Sequence, residues 1–211
     1  MIYEDRIEAA HLLVDKLQAY KDKNNAIVLA IPRGGVPMGY VIAKQLHLPL
    51  EVVLSKKIGH PMHKEFAIGA VTLKSLVLSD AANDVSTSYI EEETKKIRTL
   101  LSKRYQDYYG HKKPQELKDK ILIIVDDGIA TGNTIISTIE MLHEEQPKKI
   151  VVAIPVSSKS ALQKLKNTPF VDEVICLSTP QNFRAVGQFY ENFDQVNDTE
   201  VKTYLNKKTT S

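Results

Sequence analysis

Residues 121–134, ILIIVDDGIATGNT, carry the reading on which the fold turns. Ile121 to Val125 contain no polar side chain, so the strand they predict has no solvated face. Such a strand belongs between two covering layers, as in a parallel sheet. Asp126 and Asp127 follow at once. The next residues are mostly small, Gly128, Ala130, Thr131 and Gly132 with Asn133 and Thr134, and they let backbone N–H groups crowd around a ligand. A helical pattern begins directly afterwards. Strand, acidic pair, small-residue loop and helix N-terminus together predict an anion cradle with a hydroxyl-binding edge.

The residue types match a phosphorylated sugar. A phosphate needs several N–H donors and a positive helix end. Gly132 permits close approach, and Thr131 and Thr134 add hydroxyl donors. Two adjacent carboxylates are suited to accept from vicinal hydroxyls, as on a ribose. An isolated Asp-Asp pair would more simply cap a helix in a βα turn. The whole stretch outweighs that alternative.

This stretch resembles the signature for 5-phosphoribosyl pyrophosphate (PRPP) of the type I phosphoribosyltransferases. The resemblance implies an α/β fold with a doubly wound, mainly parallel five-stranded sheet and a small hood or flap. It implies PRPP as ligand and Mg2+ as helper, carried by PRPP without direct protein ligation. By position it makes Asp126 and Asp127 the catalytic ribose-hydroxyl partners. It makes Gly128, Ile129, Ala130, Thr131, Gly132, Asn133 and Thr134 the 5′-phosphate loop. The signature is shared by transferases and by PRPP-sensing regulators.

The chain has 211 residues, 43% apolar and 26% charged, enough for one substantial core. A single domain over 1–211 is expected, divided into an N-terminal helix appendage (1–24), a core (25–178) and a C-terminal flap (179–211). Net charge is +2, from 28 basic and 26 acidic residues, so no bulk field argues for nucleic acid or a membrane. The one cysteine, Cys176, lies in an apolar run and reads as a small buried hydrophobe. No apolar run approaches a membrane span, and residues 1–20 carry acids where a signal peptide would be apolar. A cytoplasmic protein is the expectation.

Before the core, residues 4–20 show helical spacing of Ile7, Ala10, Leu13, Val14 and Leu17. Ala26–Ile31 is a second apolar strand, running into Pro32-Arg33-Gly34-Gly35 and a helix over 36–46. This predicts a second phosphate-type turn, with Arg33 as a forked donor. Beside the first signature it is similar to the pyrophosphate loop of the same family, formed by Arg33, Gly34 and Gly35. The resemblance implies a cis Arg33–Gly34 peptide. Leu50–Leu54 is a third strand. Residues 55–65 read as a loop, because Gly and Pro break the pattern, and it carries three lysines and two histidines. The family has a mobile loop here, which implies that Lys56 binds pyrophosphate and Lys57 assists catalysis. A solvated basic turn is the plain alternative. The spacing of His60 and His63 is a weak metal signal, with no Cys or third His nearby.

Residues 66–72 and 76–78 predict a hairpin. Ser88-Tyr89-Ile90-Glu91 reads as a capping box opening a long helix to about Tyr109. Tyr105, Tyr108 and Tyr109 read as packing or interface residues, and with the resemblance they allow a homodimer. After a polar crossing at 110–120 and the central strand come a helix over 133–145, a strand over 149–154, a turn at 155–158, a helix over 159–166 and a strand over 173–177. This alternation predicts a doubly wound sheet.

The tail around 179–195 holds four of the fourteen Phe and Tyr residues. It predicts either an acceptor-binding platform at Phe183 and Arg184, or a hydrophobic flap pinning 198–205 to the sheet. The FRAVGQ tail and the EFAIGAV middle are similar to a stand-alone phosphoribosyltransferase-like group. The chain departs from that group at His60, Met62, His63 and Lys64, where smaller residues are usual. The resemblance implies Mg2+-dependent transfer of phosphoribose from PRPP to a nucleobase-like acceptor, or PRPP sensing without transfer. A DNA-binding sensor should add a basic helix-turn-helix, and 4–20 is too balanced in charge for one. A phospho-acceptor receiver domain also has paired acids, but wants an isolated Asp after another strand where this chain has Pro32-Arg33.

Overall fold

The computed structural model describes residues 2–110 and 112–207. Its centre is β6 (Ile121–Val125), whose five side chains are all buried. On one side lie β1 (Ala26–Ala30) and β2 (Leu50–Val52), and on the other β7 (Lys149–Val156) and β8 (Glu173–Ser178). The order is β2-β1-β6-β7-β8, with every pairing parallel.

The apolar strands are explained by what covers them. Val28, Ile123, Val125, Val151 and Ala153 point into one layer with α1 (Arg6–Lys16) and α2 (Gly35–Leu46). Their neighbours Ile27, Leu29, Leu122, Ile124, Ile150 and Val152 point into the other. There they meet α4 (Asn133–His143) and α5 (Lys159–Lys166). Alternating side chains face opposite ways, so a strand buried on both faces must be apolar at every position. This is the doubly wound α/β sheet predicted from the strand pattern.

A second lobe stands beside the sheet. The strands β3 (Lys56–Gly59), β4 (Ala67–Val71) and β5 (Leu76–Leu78) form an antiparallel sheet in that order. It packs with α3 (Thr87–Tyr109) and α6 (Asp198–Asn206) around Ile58, Ile68, Val71, Ile97 and Leu101. Tyr105 and Tyr108 are buried in this cluster, with hydroxyls on Glu51 and Asp198, so they are not an open face for a second copy.

Several local readings are corrected. The loop expected over 55–65 contains β3, because pairing with β4 organises residues whose own composition reads as irregular. The capping box at Ser88 is absent: Ser86 is the N-cap and makes no side-chain cap bond. A capping box is present instead at Asn197 and Glu200, opening α6. The turn expected at 155–158 begins later, since β7 continues through Pro155. Pro155 is tolerated because β6 has already ended, at the level of Ala153. The flap at 183–193 packs on N-terminal residues, through Tyr3 against Tyr190, while residues 198–206 form α6 against α3 and α2. No described helix is long and apolar enough to cross a membrane.

Candidate active site

The register brings the two turns together. Ala30 pairs with Val125, so Pro32-Arg33-Gly34-Gly35 and Asp126-Asp127-Gly128 leave the same sheet edge side by side. Their approach is as close as glycine allows. A Cβ on Gly35 would sit 2.5 Å from the Val125 carbonyl oxygen, and one on Gly34 would sit 2.0 Å from Asp127 Oδ2. The cis peptide is Pro32–Arg33, one bond earlier than the Arg33–Gly34 bond the resemblance implied.

The acids are held individually. Asp126 Oδ1 accepts the backbone N–H of Asp127 at 2.9 Å. Asp127 Oδ2 accepts from Arg6 Nε at 2.9 Å, and the Asp127 carbonyl accepts the Tyr190 hydroxyl at 2.6 Å. Asp126 Oδ2 and Asp127 Oδ1 accept nothing among the described residues. Burial, and then the charge of Asp127, push the Asp126 carboxyl well above the usual carboxylate range. Burial also raises Asp127, while Arg6 pulls it back. Two half-enclosed carboxylates with spare acceptor oxygens are poised to take hydroxyl donors, which favour their ionised form.

The loop beyond them is anchored at one end and open at the other. Ile129 exchanges backbone bonds with β7 and its continuation, donating to Val156 at 3.0 Å and accepting from Ser158 at 2.9 Å. The Ser158 hydroxyl adds a bond to the Ala130 carbonyl at 2.7 Å. No N–H group of residues 130–134 is donated to a described residue's backbone. Gly132, with φ +81°, is the N-cap of α4, a left-handed conformation that glycine adopts without a Cβ penalty. Thr131, Asn133 and Thr134 are exposed around it. Free amides at the positive end of a helix are an anion site.

Next to this loop is a cavity of about 450 Å3, lined in part by Arg33, Ser55, Thr134, Arg104 from α3 and Asp198 from α6. The Asp198 carboxylate is taken up by the Tyr108 hydroxyl. The two guanidinium groups suit an oxygen-rich anion.

The model of the phosphoribosyl transferase domain matches residues 2–194. The chain belongs to the phosphoribosyl transferase family. A Mycobacterium tuberculosis (strain H37Rv) protein carrying the provisional name of a phosphoribosyl transferase is 33% identical over 210 residues. That match covers 98% of this chain and 47% of the relative, so the chain spans about half the length of the curated relatives it matches first. A uracil phosphoribosyltransferase of Mycoplasma genitalium is 25% identical over 168 residues, 76% of this chain and 81% of that one. Among solved structures, the protein TT1426 from Thermus thermophilus aligns with a TM-score of 0.84 at 37% identity, over 97% of this chain and 98% of that chain.

Within this phosphoribosyl transferase fold the lysines are separated. Lys56 and Lys57 are consecutive on β3, opposite Val71 and Ala70, so their side chains leave opposite faces. Lys57 lines a cavity of about 400 Å3 with Asn133 and Ser137, beside the 130–134 loop. Phe183 is half-buried and packs on Phe189 at 5.3 Å between ring centroids, while Arg184 is exposed. Tyr190 and Phe193 stack at 4.9 Å. The rings of the tail pack on one another and, through Tyr190, on Tyr3, which is an N-terminal residue and not part of 198–205.

Arg6, Arg104, Asp198 and Tyr190 went unread in the sequence. Arg6 alone carried a local signal. It is the first residue of α1, where the helix dipole disfavours a cation, so it needed an acid from elsewhere. The others are visible only once distant elements meet.

Proposed function

We propose that the chain binds PRPP at the edge of β6 and, with Mg2+, transfers its 5-phosphoribosyl group to a small acceptor, releasing pyrophosphate. One observation carries this reading. Two carboxylates with spare oxygens, the free amides of 130–134 and a cavity lined by Arg33 and Arg104 lie together where β1 and β6 end. A sugar with a phosphate at one end and a pyrophosphate at the other has this pattern of groups.

The 5′-phosphate would take the amides of 130–134 and the Thr131 and Thr134 hydroxyls. Asp126 and Asp127 would accept from the ribose hydroxyls. The Pro32–Gly35 turn, Arg33 and Arg104 would hold the pyrophosphate, with Lys57 approaching from the β3 side. As the pyrophosphate leaves, positive charge grows on the sugar, and the nearby acids favour that charge in a poorly solvated site. Among the described residues, no three His, Cys, Asp or Glu side chains are grouped to cage a metal. The hard oxygens here suit Mg2+ bound through PRPP and water, where it would offset the charge of the leaving group. A nucleobase or related heterocycle is the acceptor class, and the likeness to a uracil phosphoribosyltransferase supports including pyrimidines.

The tail favours a second reading, PRPP binding without transfer, because its rings pack on one another. Calorimetric titration with PRPP and Mg2+, followed by a panel of nucleobases read by pyrophosphate release, tests both. Binding with release supports transfer, and binding without release from any acceptor supports a sensor. Absence of PRPP binding removes both. Asp127→Asn should weaken turnover, or binding in the sensor case, by about tenfold or more.

A further inference from the structure

Arg6 is an appendage residue by sequence position, yet its side chain is only 11% exposed and the facing Asp127 side chain 15%. Its contacts converge at one point. Nε donates to Asp127 Oδ2 at 2.9 Å, Nη1 donates to the Asp194 carbonyl at 2.8 Å, and the guanidinium carbon lies 3.9 Å over the Phe193 ring. One planar group therefore ties together α1, the acidic pair and the tail.

The parts that aim it are themselves fixed. Asp5 Oδ1 caps α1 by accepting from the amides of Ile7 and Glu8 at 2.7 and 2.9 Å. Tyr3 donates its N–H to the Phe189 carbonyl and accepts from Glu191 N–H, both at 2.8 Å, and its hydroxyl reaches the Pro155 carbonyl at 2.8 Å. Helix and tail are thus laced together on either side of the guanidinium. The contact with Asp127 is also one-sided. Arg6 takes Oδ2 through Nε alone and leaves Oδ1 without a partner among the described residues, where a bidentate fork would have consumed both oxygens.

We infer that Arg6 is a positioning residue of the sugar site: it fixes the Asp127 carboxylate above the Gly34 turn and leaves Oδ1 to receive a ribose hydroxyl. This rests on the PRPP reading above. The groups facing Asp127 are Asp126 from its own loop, Arg6 from α1, and from the tail Tyr190, with Tyr3 behind it. Arg6 is the one cation paired with it among the described residues. Burial pushes the Asp127 carboxyl up and Arg6 opposes this, so loss of Arg6 raises it further. Ligand binding that needs the ionised carboxylate then fails at a higher pH.

The test is calorimetry with PRPP and Mg2+ from about pH 5.5 to about pH 8.5 on the wild type, Arg6→Met and Arg6→Lys, with melting temperatures alongside. Arg6→Met should bind PRPP about tenfold more weakly near neutral pH, with the acid limb of the affinity profile moved to higher pH. Arg6→Lys restores the charge without the planar group that reaches Asp127 and the Asp194 carbonyl together, so it should return the acid limb towards the wild type while affinity stays reduced. Wild-type affinity and an unmoved acid limb in Arg6→Met would leave Arg6 a structural ion pair and overturn the inference, even if the melting temperature fell. If Arg6→Met does not fold, Arg6→Lys decides: affinity lowered about threefold or more at an unchanged melting temperature supports the role, and unchanged affinity overturns it. A wild type that does not bind PRPP would overturn the PRPP reading itself, and this inference with it. Wild-type binding with indifferent Arg6 variants would sink only the present one.

Discussion

Gly34→Ala tests the fit between the acidic pair and the turn beside it. Gly34 has φ −61° and ψ −34°, a conformation open to any residue, so the substitution brings no backbone strain. What it brings is a methyl group 2.0 Å from Asp127 Oδ2 and 2.6 Å from Asp127 Cγ, where real Cβ contacts essentially never fall under 3.0 Å. The carboxylate must retreat by about 1 Å, since Gly34 lies in a turn pinned by the Gly35 N–H bond to Ile31. A 2.9 Å bond to Arg6 does not survive such a shift in place, and neither does an oxygen aimed at a ribose hydroxyl. Losing one hydrogen bond to a charged group costs about 1.5–3 kcal/mol, which is roughly a 10- to 100-fold rise in the Kd for PRPP.

Stability should change much less. Replacing glycine in a compatible conformation recovers about 0.4–1 kcal/mol of chain entropy, offsetting part of the weakened ion pair. For a chain of this size about 1 kcal/mol corresponds to roughly 2–4 °C, so the melting temperature should move by only a few degrees. Gly35→Ala is the contrast, because its methyl would lie 2.5 Å from the Val125 carbonyl oxygen, in the backbone of the central strand. It should lower the melting temperature far more. Calorimetry with PRPP and Mg2+, paired with thermal melts, reads both effects. A Gly34→Ala protein that binds PRPP within about threefold of the wild type would refute the placement of Asp127 over this turn as the feature that recognises the sugar.

Two further outcomes are expected. Burial and the neighbouring charge raise Asp126, so the folded chain holds that proton more tightly than the unfolded chain; its contribution is present below the ordinary carboxylate range and lost as pH rises through the raised value. Asp126→Asn, which keeps an oxygen for the Asp127 N–H, should melt higher than the wild type at neutral pH, with the gap closing towards about pH 4, while PRPP binding is lost; thermal melts across pH check this, and a less stable variant at neutral pH would contradict it. Arg104→Met should weaken inhibition by free pyrophosphate by about tenfold at an unchanged melting temperature, since Arg104 is exposed and lines the cavity with Arg33. Equal inhibition of both proteins would take Arg104 out of the pyrophosphate site.

The parts of the fold that were legible are those with a local cause. The apolar runs at 26–30, 121–125 and 149–154 announce strands covered on both faces, and the structure buries them that way. The small residues after the Asp-Asp pair announce a loop of free amides leading into a helix, because amide crowding and a helix start depend on neighbours in sequence. Local composition misled where a partner strand did the organising. Lys56–Gly59 is a strand because β4 lies beside it, and β7 runs through Pro155 because β6 stops short of it. The start of α3 was misplaced by two residues, since Ser86 and Ser88 are both plausible caps by type and only the backbone chooses.

The site shows the same division. By itself the chain of residues determined the family fold, the acidic pair, the small-residue loop before α4 and the Arg33 turn, for each is a short segment whose chemistry is complete within a few positions. Only the tertiary structure decided that Arg6 meets Asp127 across 121 positions, that Arg104 and Asp198 join Arg33, and that the tail packs closed on Tyr3. Those contacts join segments whose separation along the chain leaves no periodicity to read. They form where the parallel strands end: the loops after β1 and β6 and the segment after β8 all leave there, and α1 begins beside Asp127.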